Sequence, residues 1–313
     1  MSSPELRGSN LRPAVVRLME ELPVLPICIS TLTRPDVDID DHIDDILALA
    51  KVEPCLTIRI FQLAAKHFPS RAVTSVQQAL MLVGSRAIDE LIEVQSMARP
   101  FHPDNDEERC MWAHFVHVSI AAGMLAKVYG QLGVKPEAAE EAGLLHDLGR
   151  LVHYKHLAKS PSEIEMQGYR DPAELLQAEE AVFGISHVAL GSVAAEIAHA
   201  PAYIRDCIDH HHSKAANIPR KTSAANGSLI ELVAIADEIA MYCHRRPADD
   251  EDEFAKRSRR FMETRSVYVK KCRPKLEDVY EVLLSSLKQT QTEYLRLGMG
   301  PPPQLEYMDI QRR

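Results

Sequence analysis

Apolar residues recur at helical spacing along almost the whole chain, whereas strict alternation of apolar and polar residues is nearly absent. Because an α-helix turns once every 3.6 residues, this spacing places the apolar side chains on one face that must be buried. Two such stripes lie on either side of Pro54, a residue that suits the first turn of a helix. They consist of Ile39, Ile43, Ile46, Leu47 and Ala50, and of Leu56, Ile60 and Leu63. The pattern predicts an all-α fold.

Polar and glycine residues mark several expected helix ends. Ser75 stands three residues before Gln78, which is the spacing of a capping box, and Gly84 follows the apolar residues that would form the helix. Near the C-terminus, the spacing predicts a long amphipathic helix that ends before three consecutive prolines. Its apolar stripe consists of Leu276, Val279, Tyr280, Leu283 and Leu287.

The chain has 313 residues and exceeds the usual size of a single domain, so we expect one large or two closely packed domains. The segment 100–108, rich in proline, aspartate and glutamate, is the best internal boundary. We predict an N-terminal helical extension over residues 1–21 and a main domain over 22–245. A charged linker, the C-terminal helix and a loose tail would follow over 246–313. The helices between residues 22 and 98 should pack against the rest of the main domain, because their apolar stripes are too wide to stay exposed.

Charge and cysteine content exclude several classes of protein. The net charge of −9 would repel nucleic acid from most of the surface, and the basic run 256–260 follows the acidic run 249–253 after two residues. Six scattered cysteines without CxxC pairs are typical of a reduced protein. No stretch approaches the ~18 consecutive apolar residues of a membrane span, and no signal peptide is recognisable. We therefore expect a cytoplasmic protein without a membrane partner or general nucleic-acid binding.

The adjacent pair His146-Asp147 carries the most chemical content. On one helix, the two side chains would point about 100° apart and offer a nitrogen and an oxygen ligand, with the second carboxylate oxygen free to bridge two cations. A helix whose polar side happens to carry His-Asp would look the same. Further candidate ligands, all beside small or apolar residues, are His114, His187, His211, His212 and Asp237. Taken together, they favour a metal site.

His114 shares a helical stripe with Val118, Ala121 and Leu125, which predicts that its ring points inward. A buried imidazole needs a partner, so the alternative to a ligand is a core histidine satisfied by a hydrogen bond. The presence of the His-Asp pair favours the ligand. His117 has no partner spacing of this kind, and we interpret it as a surface or core residue.

The order of these residues resembles the HD superfamily, in which a lone histidine, a His-Asp pair and a distant aspartate follow one another. They correspond here to His114, His146-Asp147 and Asp237. A closer resemblance, from about Leu22 to Asp237, is to the HDOD branch, the HD-related output domain of bacterial signalling proteins. Its landmarks here are Leu22 to Pro26, Glu53-Pro54, Ser75 to Gly84, Trp112 to His114, Gly143 to Gly149, Phe183 to His187, and Ile208 to His212.

The resemblance implies a helical HD-type bundle preceded by a packed N-terminal helical subdomain. The main domain would then comprise an N-terminal part to about residue 100 and a metal-site part over 107–245. Three positions depart from the HDOD pattern. Glu53-Pro54 replaces Asp-Pro, Ala64-Ala65-Lys66 replaces an Ala-Asn-Ser element, and Arg150 replaces the lysine of the HDxGK run.

The resemblance also implies a ligand set for one or two divalent ions. One cation would be held by His114, His146, Asp147 and Asp237. Asp147 would bridge to a second cation held by His187 and by His211, His212 or both. Mixed imidazole and carboxylate ligation suits iron, manganese or zinc better than calcium. His210 should lie outside the site. Arg150 would either hold an anionic phosphate beside the cations or form a surface ion pair with Glu140 or Glu141.

Several functions are compatible with this site. HDOD proteins are generally signalling output modules, in which the conformation would be read by a protein partner. The ligand set also resembles the HD-GYP phosphodiesterases, which favours a metal-dependent phosphohydrolase acting on a nucleotide or cyclic dinucleotide, with Asp147 and Arg150 in catalytic roles. However, the GYP signature is absent after His212, and Cys110 stands where an extra glutamate ligand is found in those enzymes. A di-iron oxygenase is a more distant alternative.

Overall fold

The computed structural model describes residues 10–22, 25–34, 39–84, 89–91, 106–156, 172–213, 218, 222–245 and 275–299. The regular secondary structure of these ranges is helical, and no strand is found in them. The predicted all-α fold is confirmed. The helices are α1 (Leu11–Glu20), α2 (Pro26–Leu32), α3 (Ile39–Ala50), α4 (Pro54–His67), α5 (Val76–Val83), α6 (Asp106–Val128), α7 (Pro136–Leu145), α8 (Leu148–His156), α9 (Pro172–Phe183), α10 (His187–Ile197), α11 (Ala202–His210), α12 (Ala224–Arg245) and α13 (Leu276–Arg296).

Most of the expected helix ends agree with the structure. Pro54 opens α4, the side chain of Ser75 accepts a hydrogen bond from the Gln78 amide, and Gly84 ends α5 with a φ of 62°. The capping box is only half formed, because the Gln78 side chain accepts from the amide of Thr74, one residue earlier than a capping box requires. Its oxygen also accepts from the Thr74 hydroxyl, which explains the change of partner. The predicted linker over 246–274 and the tail beyond residue 299 lie outside the described residues.

Two compact units make up the chain, and each combines two separate stretches of sequence. Unit 1 comprises residues 1–101 and 145–212, and unit 2 comprises residues 102–144 and 213–313. The domain limits predicted from the sequence therefore stay a prediction.

Within unit 1, α10 is the central helix of one group and packs against α1, α8, α9 and α11. A second group is formed by α2, α3, α4 and α5. An ion pair of 2.9 Å between Arg12 and Glu196 joins α1 to α10 on the surface. Such an exposed pair contributes little free energy, so the apolar contacts hold α1 in place.

Within unit 2, α6 packs along α12 and α13. The buried ring of His117 on α6 contacts the hydroxyl of Ser286 on α13 at 2.9 Å. Burial, aided by the nearby His114, lowers the pKa of His117 to about 3, so this histidine is a neutral core residue. Residues 109–128 of α6 are long and apolar enough to cross a membrane, yet 72% of that stretch is buried inside the protein. The length and composition of α6 are thus weak evidence for a membrane span.

Helices α8 and α10 of unit 1 touch backbone to backbone. A Cβ atom at Gly149 would lie 1.8 Å from the carbonyl oxygen of His187 and 2.7 Å from the amide nitrogen of Gly191. Non-bonded atoms do not approach so closely. Both neighbours are backbone atoms and cannot move away as a flexible side chain could. The crossing therefore requires glycine at position 149, two residues after Asp147.

We expect Gly149→Ala to lower the free energy of unfolding by about 3 kcal/mol or more, or to prevent folding, since the two backbones must separate. Gly227→Ala on α12 is the matched control. A Cβ there has no neighbour within 4 Å, so this change should be neutral or stabilise by up to about 1 kcal/mol. Urea denaturation of both variants provides the measurement, and equal stabilities for the two would contradict the close approach.

Glu53 is a buried carboxyl group at the N-terminus of α4. Burial raises the pKa of Glu53 to about 7, although the Leu56 amide and the positive charge of Arg59 oppose this shift. Arg59 is itself buried and donates to the Leu22 carbonyl oxygen at 2.8 Å. The folded state therefore retains a proton that the unfolded chain loses near pH 4.5. Stability is consequently lost as the pH rises from about 4.5 to 7, and it levels off above that range.

Glu53→Gln should remove this pH dependence, because glutamine resembles the protonated carboxyl group and can still accept from the Leu56 amide. Between pH 5 and pH 8, the wild type should lose on the order of 2–3 kcal/mol more stability than the variant. Denaturant midpoints of both proteins across this pH range give the comparison. The same pH slope in the two proteins would show that Glu53 is ionised throughout.

Candidate metal centre

The His146-Asp147 pair lies in a turn, because α7 ends at Leu145 and α8 begins at Leu148. The expectation that both residues share one helix is wrong. Outside a helix, the two side chains are no longer tied to an angle of 100°, and Asp147 stands two residues before Gly149, where α8 and α10 approach closely. Both residues are buried.

Four candidate ligands come together in unit 1. One ligand atom from each of Asp147, His187, His211 and His212 lies within 4.8 Å of the others. The carboxylate oxygen Oδ1 of Asp147 is 3.2 Å from Nε2 of His187 and 3.4 Å from Nε2 of His211. The rings of His211 and His212 have centroids 4.0 Å apart. Three imidazoles and one carboxylate therefore converge on one point.

These ligands come from three short segments whose ends meet. Asp147 precedes α8, and His187 is the first residue of α10, where Ser186 caps the helix by accepting from the Ala189 amide. His211 and His212 follow the last residue of α11. His211 still has helical backbone angles, and its amide donates to the Cys207 carbonyl oxygen. The ligand atoms of His211 and His212 nevertheless both reach the cluster.

Hydrogen bonds elsewhere determine which ring nitrogens face the cluster. Nδ1 of His211 lies 3.0 Å from the carbonyl oxygen of Cys207 and 3.1 Å from that of Ile208, so Nδ1 carries a proton. Nδ1 of His187 lies 2.6 Å from Oε2 of Glu179 and is protonated for the same reason. In the neutral rings, both Nε2 lone pairs then face the Asp147 carboxylate. The lone pairs on Nε2 repel the carboxylate oxygen at 3.2 and 3.4 Å. A positive charge between the nitrogens and the oxygen, either a proton or a metal ion, removes this repulsion.

The two oxygens of Asp147 face different partners. Oδ1 faces His187 and His211, whereas Oδ2 lies 2.9 Å from Nε of Arg150 and 3.6 Å from Nε2 of His146. The ring of His146 is 5.1 Å from that of His211. The pairing of Arg150 with Asp147 was not expected from the sequence, and the expected phosphate contact of Arg150 stays a prediction. Its guanidinium offsets the charge of that buried carboxylate.

The remaining predicted ligands, His114 and Asp237, belong to unit 2 and contact each other there. Nε2 of His114 on α6 lies 3.4 Å from Oδ1 of Asp237 on α12. His114 is mostly buried, as its helical stripe predicts. His210, which we expected outside the site, is not among the clustered groups of the described residues.

Glu179 is a site residue that sequence reasoning missed. It is 4% exposed, and Oε2 accepts from both the backbone amide and the ring of His187. The sequence does contain a pattern that indicates its burial. Glu179 stands four residues from Leu175 and four from Phe183, both buried apolar residues of α9. An acidic residue in the middle of a buried helical stripe requires a partner.

Electrostatics agree with a site that attracts positive charge. Burial by itself would lower the pKa of His187, but the carboxylates of Asp147 and Glu179 outweigh it and raise the value to about 9. His211 behaves differently, because burial lowers its pKa and outweighs the opposing effect of Asp147, with His146 and His187 adding to the downward shift. Burial raises the pKa of Glu179, but His187 outweighs it, and the net shift is downward. A divalent cation would take the place of the proton on Nε2 of His187.

Comparison with known proteins identifies the family of the chain. Residues 22–214 match the HDOD domain, which is well over half of the sequence. The chain therefore belongs to the HDOD family. None of the curated proteins matches it significantly.

Solved structures share this fold at low sequence identity. The MmoQ response regulator from Methylococcus capsulatus strain Bath is 20% identical, with a TM-score of 0.57, over 84% of this chain and 98% of that one. A fragment of the same regulator is 22% identical, with a TM-score of 0.53, over 76% and 90% of the two chains. A virulence factor from Campylobacter jejuni is 14% identical, with a TM-score of 0.55, over 96% of each chain. At these identities, the likeness establishes the fold alone.

Proposed function

We propose that the protein is a signalling output module whose conformation is set by a divalent metal ion and read by a protein partner. Membership in the HDOD family supports the signalling role, and MmoQ, with the same fold, is a response regulator. The observation that carries the proposal is the approach of Asp147 Oδ1 to Nε2 of both His187 and His211. A cation at the point where the three chain segments meet would stabilise this arrangement.

One ion would be held by Asp147, His187, His211 and His212, all within unit 1. Three imidazoles and one carboxylate suit zinc, iron or manganese, and the small number of oxygen donors disfavours calcium. A further ion, held by His114, His146 and Asp237 with Asp147 as the bridge between the two ions, stays a prediction from the family resemblance.

The position of the ligands explains how an ion could act as a signal. They stand before α8, at the start of α10 and after α11, so a bound ion would tie these three helices together. Binding to the folded state stabilises that arrangement, with a gain that grows with the ion concentration relative to its dissociation constant. A partner that contacts any of these helices would then bind with a different affinity.

The full-length protein should purify with about one to two transition-metal ions from medium supplemented with iron and manganese. Asp147→Asn and His187→Ala should each lose most of this metal, whereas His210→Ala, which changes an adjacent histidine outside the cluster, should retain it. Elemental analysis measures the content. A metal-free wild type, or equal contents in the His187 and His210 variants, would remove the basis of the proposal.

A metal-dependent phosphohydrolase is the second candidate, and the position of Arg150 favours it. The guanidinium lies beside Asp147 and could hold a phosphate oxygen next to the cluster. A bound divalent cation supplies Lewis acidity and a nucleophilic water at neutral pH. The GYP signature of the related phosphodiesterases is absent from the chain, which favours the signalling role.

An assay with nucleotides, cyclic dinucleotides and simple phosphoesters separates the two functions. For a signalling module, the metal-loaded wild type should show no turnover, whereas Asp147→Asn should change the binding of the partner or the cellular response. Hydrolysis by the wild type that disappears in both Asp147→Asn and His187→Ala, but persists in His210→Ala, would make the enzyme the primary function.

A further inference from the structure

Glu179 makes two hydrogen bonds to the same residue through one oxygen. Its Oε2 accepts from the backbone amide of His187 at 2.9 Å and from the ring nitrogen Nδ1 at 2.6 Å. Both side chains are buried, so water does not compete for these bonds. The carboxylate thus fixes both the position of the α10 N-terminus and the orientation of the His187 ring.

Local structure brings Glu179 to this point. Leu175 and Phe183 bury the same face of α9, which turns the intervening carboxylate inward. Gly184, with a φ of 83°, follows the last residue of α9, and Ser186 caps α10, which runs at 79° to α9. The short connection brings His187 into contact with the Glu179 carboxylate. The pairing therefore depends on the turn between the two helices.

We propose that Glu179 is a positioning residue that keeps Nδ1 of His187 protonated and presents Nε2 to the ligand cluster. A neutral imidazole carries one proton, and its location decides which nitrogen can bind a cation. With Nδ1 donating to Glu179, the Nε2 lone pair faces Asp147 Oδ1 at 3.2 Å. Partners of this kind fix the orientation of metal-binding histidines and raise their basicity. The inference rests on the proposed metal-dependent function.

A merely structural role for Glu179 would be to satisfy the first free amide of α10. Two substitutions separate this role from positioning. Glu179→Gln keeps an oxygen that can accept both hydrogen bonds, whereas Glu179→Leu has a similar size and no acceptor. Glu180→Leu is the matched control, because the adjacent Glu180 is exposed on the same helix.

The first measurement uses the metal-free, full-length protein and does not depend on metal binding. In the proton NMR spectrum, Nδ1–H of His187 should give a downfield resonance protected from solvent exchange, and its loss in His187→Gln assigns it. The signal should disappear in Glu179→Leu and remain in Glu180→Leu. In Glu179→Gln it should move upfield, because a neutral acceptor makes a weaker bond.

The second measurement is a titration with Co²⁺, monitored by its visible absorption. Glu179→Leu should weaken binding by roughly 10–100-fold, and Glu179→Gln should stay closer to the wild type. In a His187→Ala background, Glu179→Leu should have no further effect, because the residue acts through His187.

Persistence of the downfield resonance in Glu179→Leu, or its unchanged position in Glu179→Gln, would overturn the positioning role. An equal loss of Co²⁺ affinity with and without His187 would also overturn it, because Glu179 would then act through general packing. Failure of the proposed function gives a different result. The wild type would bind no Co²⁺, while the pattern of resonances would still establish that Glu179 controls the His187 ring.

Discussion

The backbone contact between α8 and α10 is the constraint on which the site depends. Gly149 lets the two helices touch, and Asp147 and His187 stand within two residues of that contact. A methyl group at Gly149 would collide with the His187 carbonyl oxygen and move the carboxylate away from the imidazole. The positions of Asp147 and His187 therefore depend on main-chain packing, which is more rigid than the packing of long side chains.

Burial of charge is the second determinant of the site. Asp147 and Glu179 are both nearly inaccessible to water, and a buried carboxylate is costly unless charge and hydrogen bonds compensate for it. Arg150 compensates Asp147 on one side, and His187 lies between the two carboxylates on the other. This excess of negative charge over a single arginine explains why the His187 ring attracts a positive charge. The same imbalance makes the cluster suitable for a cation.

Much of the fold could be predicted from the sequence because helices depend on local patterns. The 3.6-residue spacing, Pro54, Ser75 and Gly84 each report on a few neighbouring residues, and the structure places helix ends at these positions. Local reasoning failed where the helix stopped. The 100° expectation for His146-Asp147 assumed a continuous helix, and the structure has a turn there. The predicted partner of Gln78 was wrong, because its side chain accepts from Thr74, and the pairing of Arg150 with Asp147 was not foreseen.

What the sequence determined by itself was the helical fold class, the HDOD family and the set of residue types able to bind a metal. Those conclusions follow from periodicity and from the order of residues along the chain. Only the tertiary structure decided that Asp147, His187, His211 and His212 converge in one unit, and that Glu179 faces His187. Convergence depends on helix ends and crossings between segments distant in sequence. The distances between ligand atoms are set when the apolar faces of the helices pack together. No local sequence pattern encodes them.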